Sequence, residues 1–338
     1  MPPSKPPTMQ DVARLAGVST MTVSRALRDG TSVNKETREA IHRVAEQLGY
    51  VFDSRAANLR RQRTDFVAVT VPSINNANFA DTVRGLEQVL AGHGLQVLLG
   101  YTDYDVEQEE RLVEQLLQRR PEAIVLTGGQ HTPRCRRLLE SSQIPVIETW
   151  DMPAEPIQHV VGFSNSAATG MLVDHLVSQG LERIAFLGGD TARDSRGGDR
   201  RAGFVSAMQA HGLDAGRLFG AGTPPVAMKE GAEAMARLLA DIPDIEAVVC
   251  VSDLVAYGAL TECQRRAIEV PGKIMLAGFG DYEIAGICVP SLTTVDPFPS
   301  RIGEEAAGIV LAALRNELGE PVRTAIGPEL RVRGTTAR

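Results

Sequence analysis

Most of the chain alternates between two kinds of apolar pattern. From Asp65 onward, short runs rich in Val, Ile and Leu, such as FVAVTVP, LQVLLGY and IMLAGFG, are separated by amphipathic stretches. Runs of this length and composition are typical of parallel strands that helices cover on both faces. The pattern predicts an α/β core of two doubly wound units in succession, with the crossing between them near residues 160–165.

The first fifty residues show only the helical period. A short helix is predicted between Thr8, which can cap its start, and Gly17, which can end it. A second helix begins after Ser19, and a third runs from Asn34 to Gly49. Two short helices joined by a glycine-containing turn form a helix-turn-helix, and the third helix completes a small core. The predicted fold is therefore a three-helix head followed by a two-lobed α/β body.

The outward face of the second helix carries groups that suit DNA. Thr20 and Met21, at its N-terminal end, can reach base edges in the major groove, and Arg25 can bind a guanine or a phosphate. Four further polar side chains are suitable phosphate partners, namely Ser19, Thr22, Asn34 and Thr37.

The distribution of charge agrees with a nucleic-acid-binding head. The formal net charge of −7, taken alone, speaks against nucleic acid. Residues 1–64, however, hold 11 Lys and Arg against 6 Asp and Glu. The whole chain has 35 and 42, so residues 65–338 hold the remaining 24 Lys and Arg against 36 Asp and Glu. A basic terminal segment favours a polyanion as partner, because Lys and Arg near phosphates release condensed counterions. A solvated helical surface is the alternative explanation of this charge.

Composition excludes several classes of protein. The 338 residues are 43% hydrophobic and 23% charged, and no apolar run approaches the roughly 18 residues of a membrane helix. The N-terminus lacks the apolar segment of a secretory signal, so the protein is expected in the cytoplasm. The four cysteines form no CxxC pair, and reduced, mostly buried thiols are predicted rather than a disulfide framework or a zinc site.

Enzyme motifs are missing from the sequence. It contains no GxSxG, Walker A or HExxH motif, and its six histidines lack metal-ligand spacing. Gly128-Gly129 and Gly188-Gly189 follow predicted strands, but neither pair completes the GxGxxG of a dinucleotide-binding enzyme. We therefore predict no catalytic residue, no metal and no cofactor.

The head resembles that of a known family. The runs MQDVARLAGVSTMTVSRAL and VNKETREAIHRVAEQLGY are similar to the head of the lac repressor family of bacterial transcription regulators. The resemblance implies double-stranded operator DNA as a partner, a homodimer or higher oligomer, no membrane, and a place on the nucleoid in the cytoplasm.

The same resemblance implies a division of the chain. Residues 1–50 would be the DNA-binding head, residues 51–64 a hinge helix or linker, and residues 65–338 an effector-binding and dimerisation core. Within that core, lobe one would comprise about residues 65–162 and 292–326, and lobe two about residues 163–291.

The segment VFDSRAANLRRQR resembles the hinge helix of the family. Ala56 and Leu59 match positions that enter the minor groove, with the leucine wedged into the central base step. Phe52 and Asp53 stand where many members of the family have Pro and Asn. A plain flexible linker is the alternative to a hinge helix. The complete predicted DNA-binding set is Gln10, Ser19, Thr20, Met21, Thr22, Ser24, Arg25, Asn34, Thr37, Tyr50, Arg55, Ala56 and Leu59.

The two-lobed body also resembles periplasmic sugar-binding proteins. An exported sugar-binding protein is therefore the main structural alternative, and the missing signal peptide and the basic head argue against it. In doubly wound folds, ligands bind beyond the carboxyl ends of the strands, which predicts a cleft between the lobes.

Candidates for the cleft are polar and aromatic residues at the predicted strand ends. Phe79 stands at the aromatic position of the family's first effector loop. Arg200, in RRAGF, matches the family's arginine three residues before glycine, a natural clamp for hydroxyls or a carboxylate. Trp150 is explained equally well by packing or by the pocket. The predicted effector-binding set is Ser73, Asn76, Asn78, Phe79, Tyr101, Thr127, Phe163, Asn165, Arg200, Ser252, Asp253 and Asp281.

A narrower resemblance concerns the first lobe. The stretches VPSINNANFADTVRGLE, LTGGQHTPR and IPVIETWD are similar to the gluconate-operon repressor branch of the family. This branch implies a repressor released from its operator by a sugar acid, gluconate or a related ketogluconate or phosphogluconate. Arg196, Arg200 and Arg201 offer cations for the carboxylate. A neutral sugar, and a corepressor that strengthens DNA binding, are the alternatives.

Overall fold

The computed structural model describes residues 6–28, 33–52, 64–189 and 192–337. The chain forms two compact units, residues 1–63 and residues 64–338. Among the described residues, no helix combines the length and the apolar character needed to cross a membrane.

The N-terminal unit contains the helices α1 (Met9–Ala16), α2 (Thr20–Arg28) and α3 (Lys35–Leu48). Thr8 and Asp11 form a capping box at the start of α1, and Gly17 ends this helix in the left-handed conformation, at φ 67°. Val12, Val23 and Ile41, one from each helix, are fully buried in a shared small core. The predicted three-helix head is confirmed.

Lobe one of the second unit is built on a six-stranded sheet. Its strand order is β11-β5-β4-β3-β1-β2, and every pairing is parallel. All residues of β4 and β5 are buried, because helices cover both faces, whereas the edge strand β2 is largely exposed. The strands are β1 (Phe66–Val71), β2 (Gln96–Tyr101), β3 (Ala123–Thr127), β4 (Val146–Thr149), β5 (His159–Gly162) and β11 (Arg323–Ala325).

Lobe two contains a four-stranded parallel sheet in the order β7-β6-β8-β9. Its strands are β6 (Ile184–Gly188), β7 (Leu218–Gly220), β8 (Ala247–Cys250) and β9 (Met275–Ala277). A separate antiparallel pair joins β10 (Thr294–Asp296) to β12 (Glu329–Arg331). The two successive doubly wound units predicted from the apolar runs are confirmed.

The helices of the second unit occupy the amphipathic stretches between the strands, and one short helix, Glu283–Ile287, adds to them. They are α4 (Ala77–Ala91), α5 (Val106–Gln118), α6 (Pro133–Ser141), α7 (Asn165–Ser178), α8 (Ser195–Ala210), α9 (Met228–Asp241), α10 (Asp253–Arg265), α11 (Glu283–Ile287) and α12 (Pro299–Leu314). Helix α12 packs on α4 of lobe one, so close that a Cβ at Gly303 would lie 2.0 Å from the carbonyl oxygen of Thr82. Only glycine permits this approach.

Candidate effector cleft and DNA-binding helix

A row of four aromatic rings runs from lobe one to lobe two. The ring centroids of Phe79 and Trp150 are 5.3 Å apart, those of Trp150 and Phe163 5.9 Å, and those of Phe163 and Phe279 6.0 Å. Phe79 belongs to α4, whereas Phe279 follows β9. The indole N–H of Trp150 donates to the hydroxyl of Thr82 at 3.1 Å, which holds the middle of the row in place. The rings offer an apolar surface to a ligand between the lobes.

Arg200, on α8, lies against this row. Its Cζ is 3.7 Å from the ring centroid of Phe279, so the cation rests on the aromatic face. Its Nε donates to Oδ1 of Asn165 and its Nη1 to the carbonyl of Val251, both at 2.9 Å. Within the described part of the chain, no carboxylate oxygen lies within 4.0 Å of this guanidinium. Burial lowers the pKa of Arg200, and the negative charge of Asp194 opposes part of that shift.

A second cation and a carboxylate lie nearby. Nη1 of Arg196 donates to the carbonyl of Thr127 at 3.3 Å, and the Cζ lies 5.7 Å from the ring centroid of Phe79. Gly128, at φ 106°, leaves room for this guanidinium, because a Cβ there would be 2.6 Å from Nη1. Oδ1 of Asp194 is 4.0 Å from Nη2 of Arg196, and this buried oxygen accepts no hydrogen bond from any described residue.

Hydrogen bonds between the lobes narrow the cleft. The hydroxyl of Tyr282 donates to Oδ1 of Asn76 at 2.8 Å, and Nδ2 of Asn78 donates to the carbonyl of Gly280 at 2.9 Å. The remaining cavity has a volume of about 50 Å³, whereas pockets for small ligands usually measure roughly 300–1,000 Å³. The structure therefore shows a closed cleft, and a sugar-sized ligand requires the lobes or these side chains to move apart.

The structure brings part of the predicted effector set together. Thr127 lines an adjoining small cavity with Arg196, Phe163 belongs to the aromatic row, and Asn165 holds Arg200. Five predicted residues line the cavity itself, namely Asn76, Asn78, Phe79, Arg200 and Ser252.

Ser73 and Tyr101 lie outside the cavity wall. The hydroxyl of Ser73 accepts a hydrogen bond from the backbone N–H of Asn75 at 3.2 Å, which makes it a turn residue. Tyr101 is 53% exposed at the end of β2, because that strand is the edge of its sheet. Position at a strand end was insufficient to bring either side chain into the cleft.

Asp253 and Asp281 also lie outside the wall. Both oxygens of Asp253 are occupied, since they accept hydrogen bonds from the backbone N–H of Tyr282 at 2.8 Å and from the hydroxyl of Thr294 at 2.6 Å. Burial raises the pKa of Asp253 to about 7. Asp281 forms an ion pair with Arg333 at 2.5 Å. The two carboxylates therefore stabilise lobe two locally.

Several cavity residues were absent from the predicted set. Tyr104 and Tyr282 lie in loops beyond their strands, where spacing carries no period that could reveal them. Burial raises the pKa of both phenols, so each is a neutral hydrogen-bonding group. The additional lining residues are Tyr104, Trp150, Asp194, Arg196, Pro224, Val226, Val251, Leu254, Phe279 and Tyr282.

Helix α2 presents the predicted base-reading residues to solvent. Met21 is 63% exposed, and Thr20 and Arg25 are exposed as well. The hydroxyl of Ser19 accepts a hydrogen bond from the backbone N–H of Thr22 at 3.1 Å, which fixes the start of the helix.

The other predicted DNA-binding residues have varied surroundings. The side chain of Asn34 caps α3, because it accepts a hydrogen bond from the backbone N–H of Thr37 at 2.8 Å. The side chain of Gln10 is exposed and that of Ser24 is half-buried. Tyr50 packs on the small core of the three helices. Three predicted residues lie outside the described residues, namely Arg55, Ala56 and Leu59.

Comparison with known proteins covers both units. Residues 8–53 match the model of bacterial regulatory proteins of the lacI family, and residues 173–336 match a periplasmic binding protein-like domain. The HTH-type transcriptional regulator GntR of Pseudomonas aeruginosa is 34% identical over 98% of this chain and 96% of its own length. The HTH-type transcriptional regulator IdnR of Escherichia coli is 34% identical over 91% and 92%. The chain belongs to the LacI family.

Solved structures agree with this assignment. A LacI-family transcriptional regulator from Silicibacter pomeroyi, 32% identical, aligns with a TM-score of 0.91 over 98% of this chain and 100% of that one. The lac repressor dimer bound to operator shares the fold, with a TM-score of 0.83 at 22% identity over 99% and 100%. The LacI-family protein is thus a DNA-binding transcription regulator that responds to small molecules, and the names of its relatives confirm the prediction that it is not an enzyme.

Proposed function

We propose that this LacI-family protein is a repressor that a sugar acid releases from its operator. The acid is gluconate or a related ketogluconate or phosphogluconate. The observation that carries the proposal is the Arg200 guanidinium, which borders the cavity and has no carboxylate partner among the described residues.

The protein holds Arg200 in a way that suits an anionic ligand. A buried cation is costly when the carboxylate that attracts it, here Asp194, lies beyond contact distance, and a bound carboxylate offsets part of that cost. Arginine carries five N–H donors, and the bonds to Asn165 and Val251 use two of them. The remaining donors can bind the acid group while Asn165 and Phe279 fix the guanidinium plane.

The rest of the cavity wall suits hydroxyl groups and a carbon chain. The unpartnered oxygen of Asp194 can accept a hydrogen bond from a ligand hydroxyl, and Asn76 and Ser252 add further polar atoms. The faces of Phe79 and Trp150 can contact C–H groups. A polyhydroxy acid presents one anionic end and several hydroxyls, which matches this combination. The relatives named GntR and IdnR also support a gluconate-related repressor.

In this proposal, each part of the chain has its own role. Residues 1–50 bind the operator, residues 51–64 form the hinge, and residues 65–338 bind the effector and form a homodimer that meets a pseudo-palindromic site. Thr20, Met21 and Arg25 read base edges. The protein acts on the nucleoid in the cytoplasm.

Effector binding would act on the lobes. Two hydrogen bonds join lobe one to lobe two, one between Tyr282 and Asn76 and one between Asn78 and Gly280. A ligand larger than the present cavity would lengthen or break them. The resulting shift of the first lobes in the dimer would separate the two hinges, and operator affinity would fall.

The sugar-acid assignment is tested by thermal unfolding of the full chain with gluconate, 2-ketogluconate, 6-phosphogluconate and neutral glucose as the control. A ligand at about 100 times its Kd adds about 2.7 kcal/mol to the unit that binds it. We expect stabilisation by one of the acids and none by glucose. A response to glucose alone, or to none of the four, would exclude the sugar-acid assignment.

The sign of the response is tested by fluorescence anisotropy on DNA selected by the purified protein from a random library. We expect the stabilising acid to weaken binding to that DNA. An affinity that rises with the acid would identify a corepressor instead.

A further inference from the structure

Lobe one contains a second cluster of ionisable side chains, formed by Glu109 on α5, His131 before α6, Cys135 on α6 and Glu148 on β4. The ligand atoms of Glu109, His131 and Cys135 all lie within 4.8 Å of one another. The side chain of His131 is 2% exposed, that of Glu109 6% and that of Glu148 0%. Cys135 is a buried free thiol. Neither the proposed effector contacts nor the DNA-binding helix uses this cluster.

Hydrogen bonds satisfy only part of the cluster. Nδ1 of His131 is 2.6 Å from Oε2 of Glu109, and Oε2 of Glu148 accepts from the backbone N–H of Ile157 at 2.6 Å. Nε2 of His131 and Oε1 of Glu148 lie 3.3 Å apart, yet neither of these buried atoms makes a hydrogen bond with a described residue. These two atoms face each other, so a hydrogen on Nε2 would pair them and leave Nδ1 of His131 as the nitrogen that can coordinate a metal ion.

The charge of the cluster is also unbalanced. Two buried carboxylates face one imidazole, which supplies at most one positive charge. The nearby guanidinium of Arg134 pairs instead with Glu110 at 2.9 Å and Glu114 at 2.8 Å. Across the described ranges, no Lys or Arg nitrogen lies within 4.0 Å of a carboxylate oxygen of Glu109 or Glu148. Buried carboxylates are retained when they are paired or when they coordinate a cation.

We propose that Glu109, His131 and Cys135 bind a zinc ion. Imidazole nitrogen, thiolate sulfur and carboxylate oxygen are the ligand types that zinc takes in proteins, and a thiolate disfavours magnesium or calcium. Coordination through Nδ1 of His131 leaves its Nε2–H to donate to Glu148. A carboxylate behind a metal-bound imidazole is the usual way in which proteins orient such a ligand.

The fourth position of this zinc ion is open to water. Glu109 also lines the small cavity that Thr127 and Arg196 border, so this carboxylate lies between the cluster and that cavity. Three protein ligands with one exchangeable position form a common zinc geometry. The zinc ion would join α5, the loop before α6 and α6 itself, and so stabilise lobe one beside the effector cleft.

Metal content provides the first test. The full chain is loaded with Zn²⁺, dialysed against metal-free buffer and measured by inductively coupled plasma mass spectrometry. We expect one zinc ion per chain in the wild type and less than a tenth of that in Cys135→Ser and His131→Gln. Cys263→Ser, which changes another buried thiol, is the matched control and should retain zinc. A wild type without retained zinc, or equal retention by all variants, overturns the proposal.

Cobalt spectroscopy provides a second test, and its decisive outcome is read from the wild type. Co²⁺ added to the wild type and to Cys263→Ser should produce a thiolate-to-cobalt charge-transfer band in the near ultraviolet, and Cys135→Ser should lack it. A wild-type spectrum without this band would show that the cluster is only a hydrogen-bonded ion group. Neither outcome depends on which effector the cleft binds.

Discussion

Replacing Arg200 by lysine tests the proposed acid clamp most directly. The change keeps the positive charge but removes the planar guanidinium, which now contacts Asn165, Val251 and the ring of Phe279 at the same time. An ammonium group cannot reproduce this set of directions, nor can it bind a carboxylate through two parallel bonds. We therefore expect both weaker acid binding and lower stability of the unbound protein.

The size of both effects follows from these contacts. A hydrogen bond to a charged group contributes about 1.5–3 kcal/mol, so the loss of one such bond to the ligand should raise Kd about 10- to 150-fold. Within the protein, lysine leaves Oδ1 of Asn165 or the carbonyl of Val251 without its donor. A buried acceptor without a donor costs about 1–3 kcal/mol, which corresponds to a fall in Tm of roughly 2–12 °C.

Isothermal titration calorimetry of the wild type, Arg200→Lys and Arg201→Lys with the stabilising acid measures the first effect. Arg201 is the exposed neighbour on the same helix, so its substitution should leave Kd unchanged. An equal Kd for Arg200→Lys and the wild type would refute the clamp. If Arg201→Lys weakens binding as strongly, surface charge rather than a specific contact attracts the acid.

Three further predictions address packing, pH and DNA. Gly203→Ala should lower the free energy of unfolding by about 1–3 kcal/mol in urea titrations, because the added Cβ would lie 2.2 Å from a carbonyl oxygen of α7. Gly308→Ala is the control and should leave the free energy of unfolding unchanged, because a Cβ at Gly308 would face open space. Burial lowers the pKa of His159, whose Nδ1 accepts from the N–H of Val322 at 3.0 Å. Below pH 6.5 the unfolded chain therefore takes up a proton at His159 that the folded chain resists, and the stability of the wild type should fall relative to that of His159→Gln by at most about 1.4 kcal/mol per pH unit. Equal slopes for the two proteins would contradict this. Leu59→Ala, outside the described residues, should weaken operator binding at least tenfold in anisotropy titrations while effector Kd stays constant; unchanged operator binding would remove the minor-groove wedge.

Much of the fold could be predicted because its signals are local. The capping box of Thr8 and Asp11, the left-handed Gly17 and the apolar runs of the parallel strands each act within a few residues. Arg200 was also identified locally, by its place three residues before Gly203 in a motif shared with the family. These patterns were sufficient for the element order, the two-unit organisation and the family.

The composition of the cleft depended on contacts between distant parts of the chain. Tyr282 bonds to Asn76 across 206 positions, and no spacing in the sequence indicates that pair. Asp253 follows a strand, as a cleft residue should, but Thr294, from a separate strand, holds its carboxylate away from the cavity.

The cluster around His131 shows the same limit. His131 and Cys135 are four positions apart, but Glu109 and Glu148 come from a helix and a strand that only the packing of lobe one brings to the imidazole. Patterns among neighbouring residues were enough to predict the helices, the strands, their order along the chain and the family. Tertiary structure alone decided which side chains meet, because the distance between groups on separate elements is set by how whole helices and sheets pack.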